Sequence, residues 1–348
     1  MAIRKAQQPV PEFALIRAIE HRFSRRAPQL VRGIGDDAAV VAASPGTWWH
    51  LTTDLLVEGV HFDLRTASPE SVGYRAAVAN LSDIAAMGAV PRFLLVSLAI
   101  PKVLTSSQIH RLYDGLMQAC RGHGVNLIGG DTSASKSGLF LSITLIGSTR
   151  ARRALFRHGA QVGDGIYVTG TLGDSLAGLQ LLTRSRRSRS AREGNPRLSR
   201  SDRKVLVDRH LRPTARLAEG QWLNRARLAT TAIDLSDGLS GDLRHICEES
   251  RVGAELDLEQ IPISAACRAF AESRRLDPVQ LALAGGEDYE LLFTVSSTKQ
   301  PVLERQARAR GFRIACIGTI RPGRFGMRMK SGDGRTRPIP MTSYEHFR

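Results

Sequence analysis

Short apolar runs alternate with amphipathic ones along most of this chain. Near the start, Phe13, Ile16, Ile19 and Phe23 recur at helical spacing and predict an amphipathic helix. Apolar runs at 48–53, 92–100, 125–128 and 140–147, bounded by Gly, Pro and polar residues, predict strands. Between them, 68–87 opens with Ser68-Pro69, an N-cap followed by Pro in the first turn, and 105–123 opens Thr-Ser-Ser-Gln. Both predict helices. A polar, Gly-containing stretch at 150–164 reads as a linker. Beyond it, strands are predicted at 165–169, 230–233, 289–295 and 314–320, and helices at 216–223, 241–249 and 301–311. Strands alternating with helices in both halves predict an α/β (α+β) chain with two domains, 1–150 and 151–348. An Arg- and Ser-rich stretch of low complexity predicts a basic mobile loop at about 184–200.

Composition narrows the function. A hydrophobic fraction of 42% supports real cores. The apolar run at 93–100 is interrupted by Ser97 and is too short to span a bilayer. Arg4 and Lys5 are not followed by an apolar stretch, so no signal peptide is expected, and the location expected is cytoplasmic without a membrane partner. Cys120, Cys247, Cys267 and Cys316 are isolated, which argues for free thiols over zinc ligation or disulfides. The net charge of +16 raises nucleic acid as a partner. The arginines are scattered except at 184–192, where no aromatic interleaves them, so no specific nucleic-acid function is expected.

Acidic residues change the picture most. The stretches Thr52-Thr-Asp54, Asn80-Leu-Ser-Asp83, Gly129-Gly-Asp131, Asp234-Leu-Ser-Asp237 and Gly285-Gly-Glu-Asp288 read as acids set just beyond short apolar strands. Turn chemistry explains any one of them. All five in a strongly basic chain point instead to carboxylates gathered around something cationic. Divalent ions bound by carboxylates, with nucleotide phosphates completing the coordination, are the usual reason. The chain has no P-loop and no protein-kinase motif set. None of its six Lys lies inside an acidic motif, so Mg²⁺ and Arg must neutralise any phosphates. In Gly33-Ile-Gly-Asp-Asp-Ala38, Gly35 lets the backbone approach a phosphate and Asp37 suits a metal. Gly129 and Gly130 leave room for a phosphate beside Asp131, and Ser236 offers a donor between Asp234 and Asp237. Glu287 occupies a Gly-Gly turn before a strand. His61, Arg157 and Tyr344 read, by themselves, as a packed ring, a surface charge and a tail residue.

Taken in order, the motifs resemble one family. They are Gly-Ile-Gly-Asp-Asp-Ala, Thr-Thr-Asp-Leu-Leu-Val-Glu-Gly-Val-His-Phe, Asn-Leu-Ser-Asp-Ile-Ala-Ala-Met-Gly-Ala and Ile-Gly-Gly-Asp-Thr. Val-Thr-Gly-Thr-Leu-Gly-Asp-Ser, His-Leu-Arg-Pro, Ala-Ile-Asp-Leu-Ser-Asp-Gly-Leu and Gly-Gly-Glu-Asp-Tyr-Glu-Leu follow. The set is similar to the thiamine-monophosphate kinase family of the aminoimidazole-ribonucleotide-synthetase-like superfamily, over roughly 12–346. The resemblance implies a homodimer of two-domain α/β subunits whose N-terminal sheets pair. It implies transfer of the ATP γ-phosphoryl group to thiamine monophosphate, giving thiamine diphosphate and ADP, with several Mg²⁺. It assigns metal to Asp37, Thr52, Thr53, Asp54, Asp83, Asp131, Asp234 and Asp237. It assigns ATP to Gly130, Asp131, Arg157 and Ser236, and thiamine monophosphate to His61, Glu287 and Tyr344. With no motif Lys and no evidently activated Cys or His, direct in-line transfer is expected, without a covalent nucleophile. The basic stretch at 184–200 is the departure from the family pattern. A related ATPase that activates an amide oxygen would lack Glu-Gly-x-His-Phe and Gly-Gly-Glu-Asp-Tyr-Glu in this form. A degenerate, nucleic-acid-binding relative would have lost the acidic motifs, which are intact.

Overall fold

The computed structural model describes residues 12–24, 27–184, 198–340 and 342–344. The expected basic loop falls mostly on 185–197, outside the described residues. The first half contains α1 (Glu12–Phe23), β1 (Leu30–Arg32), β2 (Ala39–Ser44), β3 (Thr47–Val57), α2 (Pro69–Ala86), β4 (Val90–Pro101), α3 (Ser106–Cys120), β5 (Asn126–Ser135) and β6 (Phe140–Arg150). Its sheet has the order β1-β2-β3-β6-β4-β5, with β4 and β5 parallel and the other neighbours antiparallel. Both predicted helices start at their predicted caps. The Ser68 side chain accepts from the Ser71 amide, and Thr105 forms a capping box with Gln108.

The period of two along β3 decides what each side chain meets. Thr52 and Leu56 are buried on the side covered by α2, while Leu51, Thr53 and Leu55 are exposed on the other. Among the described residues nothing covers that second face of the sheet, and edge strand β5 is exposed along nearly its whole length.

The second half begins with β7 (Gly165–Thr169), α4 (Asp174–Arg184), α5 (Arg200–Leu211), α6 (Leu217–Arg225), β8 (Thr231–Asp234) and α7 (Leu239–Ser250). It continues through β9 (Val252–Asp257), α8 (Ala265–Arg274), α9 (Pro278–Ala284), β10 (Leu291–Val295), α10 (Gln300–Arg310), β11 (Ile314–Pro322), β12 (Met327–Lys330) and β13 (Thr336–Pro338). These strands form a seven-stranded sheet of order β13-β12-β9-β11-β7-β10-β8. Strands β7 and β10 are buried on both faces, which is why they read as unbroken apolar runs. Ile166, Val168 and Leu292 face one core, formed with α4, α7, α8 and α9. Tyr167, Leu291 and Phe293 face the other, which continues through Leu217 and Trp222 of α6 to α2 and the first sheet. The Tyr167 and Phe293 rings stack with centroids 5.7 Å apart. A single apolar core therefore joins the two sheets. Truncating Phe293 to Ala costs on the order of 3–5 kcal/mol.

Some elements differ from expectation. Strand β5 runs on to Ser135, past the expected end at 128, because its ladder with β4 continues through Gly129, Gly130 and Asp131. The Gly-Gly-Asp motif is thus part of the strand and not a segment just beyond its end. Asp54 likewise lies inside β3, and Asp83 lies inside α2. Of the acids read as strand-end residues, Asp234 closes β8.

Candidate active site

Carboxylates converge where the two halves meet. Asp37 precedes β2, Asp83 projects from α2 and Asp234 ends β8, and one oxygen of each lies within 4.8 Å of the others. Asp54 joins them from the α2-facing side of β3, close enough for its charge to act on Asp83. Thr52 Oγ1 donates to Asp83. Ser82 Oγ donates to Asp234 Oδ2 at 2.7 Å, a bond from the first half to the second. Arg157 Nη2 donates to Asp37 Oδ1 at 2.8 Å.

This cluster is short of positive charge. Burial, then repulsion from Asp54, Asp234 and Asp37, pushes the Asp83 carboxyl well above the usual range. Burial, then Asp37, pushes Asp234 up to about 8, against the opposing effects of Ser82 and Arg157. Burial raises Asp54 to about 6. An all-oxygen donor set with surplus negative charge suits a hard divalent ion, and Asp37 Oδ2 is buried without a hydrogen-bond partner, an open ligand position.

Beside the acids stands a second group. Glu287 sits in the left-handed region at φ 62°, a conformation disfavoured for residues with a side chain. It is pinned there by its amide bond to the Ser236 carbonyl at 2.8 Å. Arg75, buried in α2, donates from Nη2 to the Glu287 carboxylate and, at 3.1 Å, to the His61 carbonyl. Its Nη1 lies 3.2 Å from His210 Nε2. A guanidinium only donates, so Nε2 is unprotonated and Nδ1 carries the proton, which it gives to Ser175 Oγ at 3.0 Å. Burial, then the Arg75 charge, lowers His210 to about 4. His61 is oriented by the Val57 amide, which donates to Nδ1 at 3.0 Å. The amide of Tyr344 donates to the Asp237 carbonyl at 3.1 Å, which brings the half-exposed Tyr344 to the rim of the site.

Other expected residues stand apart. Thr53 and Asp131 are exposed, and strand parity puts both on the uncovered face of the sheet, away from Asp54. Thr53 Oγ1 donates to the Ile143 carbonyl at 3.0 Å. Gly130 has φ +152°, and a Cβ there would lie 1.8 Å from the Val96 carbonyl oxygen, so glycine is required by strand packing as well as suiting a phosphate. The Asp237 amide is bonded to Asp242 Oδ2 at 3.3 Å, and Asp242 is itself pushed well above the carboxylate range by burial and then by Asp237.

Several residues of the site were not anticipated. Asp36 accepts from the Arg157 amide, pairs with Arg32 at 3.0 Å, and is raised to about 7 by burial and then by Asp37. Its motif had drawn attention only to its neighbour. His210 lies within the quoted His-Leu-Arg-Pro motif, so a signal was available for it. Arg75 had no motif at all; its only mark was a charge inside an otherwise apolar helix face.

Residues 35–149 match the profile of the AIR synthase related protein, N-terminal domain, and 161–330 that of the C-terminal domain. With two mixed sheets and acids gathered at their junction, the fold is that of the AIR synthase related class. Within that class, the chain belongs to the thiamine-monophosphate kinase family. It is 36% identical to the thiamine-monophosphate kinase of Bacillus subtilis (strain 168) over 339 residues, 97% of this chain and 99% of that one. It is 38% identical to that of Escherichia coli (strain K12), over 97% and 98% of the two chains. The structure of AaThiL complexed with AMPPCP and TMP superposes with a TM-score of 0.83 at 33% identity, covering 99% of this chain and all of that one.

Proposed function

We propose that this chain is a thiamine-phosphate kinase that transfers the γ-phosphoryl group of ATP to thiamine monophosphate, yielding ADP and thiamine diphosphate. The observation that carries this reading is the convergence of Asp37, Asp83 and Asp234 within 4.8 Å at the junction of the halves, in a chain whose relative was solved with AMPPCP and TMP. Both reactants are anions, so the barrier to remove is their mutual repulsion. When bound, Mg²⁺ would neutralise phosphate charge and hold donor and acceptor in line. Asp37, Asp54, Asp83 and Asp234, with Thr52, are its ligands in this reading. Arg157 and Ser236 meet ATP, and Glu287, His61 and Tyr344 meet the acceptor. Arg75 keeps Glu287 and His61 in place.

The reading includes a homodimer. Exposed Leu51, Leu55, Leu127 and Ile128 lie on the uncovered sheet and its open edge, a surface that pairing with a second copy would bury. In a single chain Asp131 lies three strands from Asp54, about 14 Å at the usual strand spacing. The second copy then supplies Asp131 and Gly130 to the nucleotide side of the site, opposite Thr53. A cytoplasmic location is consistent with four free cysteines. Among the described residues, no helix is long and apolar enough to cross a membrane. The test is ADP release with Mg²⁺ and, in turn, thiamine monophosphate, thiamine and an aminoimidazole precursor. Release dependent on thiamine monophosphate is expected. Release with the aminoimidazole precursor and none with thiamine monophosphate would refute the reading.

A further inference from the structure

A cavity of about 420 Å³ opens between the first sheet and α6. Its wall includes Arg92, Arg150, Arg153 and Arg225, with the hydroxyls of Ser148 and Thr149, and among the described residues no carboxylate. It also includes Thr47, seven residues along β3 from Asp54, so the two places are about 23 Å apart at the rise of a strand.

The state of the four guanidinium groups separates this cavity from the rest of the molecule. Elsewhere, five partly or fully buried arginines face acids: Arg32 with Asp36, Arg75 with Glu287, Arg157 with Asp37, and Arg209 and Arg216 with Glu290. Around the cavity, Arg92 Nε donates to the Ser148 hydroxyl at 3.0 Å, and Arg225 Nε to the Gln221 carbonyl at 3.2 Å. Arg153 Nη1 is buried with no hydrogen-bond partner. A buried guanidinium N–H left unpaired is costly, and like charges around one space repel. The walls are nonetheless held in place. Asn224 Nδ2 bridges the carbonyls of Gly88 and Arg153, each at 2.9 Å, and Gln221 Nε2 bonds the Ala89 carbonyl at 3.2 Å. Elements of both halves thus frame a preformed space whose side chains supply donors and surplus positive charge.

We propose that this cavity binds a small phosphate-bearing anion at a site separate from the acid-lined one. The chemistry is that of forked donors meeting phosphoryl oxygens. Its volume suits a group of the size of pyrophosphate or the diphosphate end of a nucleotide. Because α6 lies on one side and β3, β4 and β6 on the other, a bound anion also clamps the two halves together.

The full-length protein, with chelator present and no Mg²⁺, is titrated calorimetrically with inorganic pyrophosphate. The variants are Arg92→Gln combined with Arg150→Gln, then Arg153→Lys alone, and Arg157→Gln as a control for binding at the acid-lined site. Arg92 and Arg150 are exposed, so their replacement leaves the cores untouched. Saturable binding is expected in the wild type and in Arg157→Gln. It should weaken at least tenfold in the double variant, the minimum expected for loss of two charge-assisted donors. Arg153→Lys, which keeps the charge but loses the fork, should fall between. Pyrophosphate should raise the melting temperature of the wild type and not of the double variant. Competition by ADP, against competition by phosphate alone, tells a nucleotide occupant from an inorganic one. Unsaturable binding, an unchanged affinity in the double variant, or abolition by Arg157→Gln would each overturn the proposal.

Discussion

Replacing His210 with Gln should make the fold less sensitive to acid, by an amount the site defines. Neutral His210 accepts from Arg75 at Nε2 and donates to Ser175 from Nδ1. Gln offers an acceptor and a donor in a similar place and does not titrate. The ring is 3% exposed as a residue, and burial, then Arg75, moves its pKa from 6.5 to about 4. The folded state therefore binds fewer protons than the unfolded state between those values. Stability from this group is complete above pH 6.5 and is lost as pH falls towards 4. Linkage over that interval makes the wild type lose about 2 kcal/mol relative to His210→Gln between pH 7 and pH 4.5. At an unfolding entropy of about 2.1 cal/mol/K per residue, a chain of 348 residues converts this to about 3 °C. The assay is the melting temperature of both proteins across the range in one buffer series. Taking the difference between them cancels the carboxylates, which titrate in both. The wild type's advantage should shrink by about 3 °C towards acid. A constant difference, or one that grows in the wild type's favour, would show that the imidazole is not held neutral by Arg75 and burial.

Other outcomes follow from the same geometry. Asp→Asn at Asp54, Asp83 or Asp131 should leave a folded protein while lowering turnover by about 10²-fold or more, and near-normal turnover in all three would remove the metal reading. Glu290→Ala should cost about 3–5 kcal/mol, since it leaves Arg209 and Arg216 facing each other around a fully buried gap; an unchanged melting temperature would contradict this. Steady-state lines for ATP and thiamine monophosphate varied together should intersect, and γ-labelled ATP alone should leave no label on the protein. Stoichiometric labelling that chases into thiamine diphosphate would establish a covalent intermediate instead.

The sequence by itself determined the chemistry available and much of the local structure. Ser68-Pro69 and Thr105 began their helices where they were read, because a cap acts within one turn of chain. Strand β7 ran over its predicted residues because its apolar run is buried on both faces. Asp83 and Asp234 were legible as one group from repeated motifs and Asp37 from the family resemblance, and the structure brings the three together. Short strands such as β1, β12 and β13 carried too little periodicity to be seen: β1 and β13 have no buried residue, and β12 buries only Met329. What only the tertiary structure decided was which groups meet. Arg75 finds Glu287 across 212 residues, and nothing in the spacing of either announces the other. Thr53 and Asp131 carry the right oxygens, but strand parity turns them to the uncovered face while Thr52 and Asp54 turn inward. Motifs report what a segment does along its own length; the order of strands in a sheet, and the face each residue takes, are settled by pairings between distant segments.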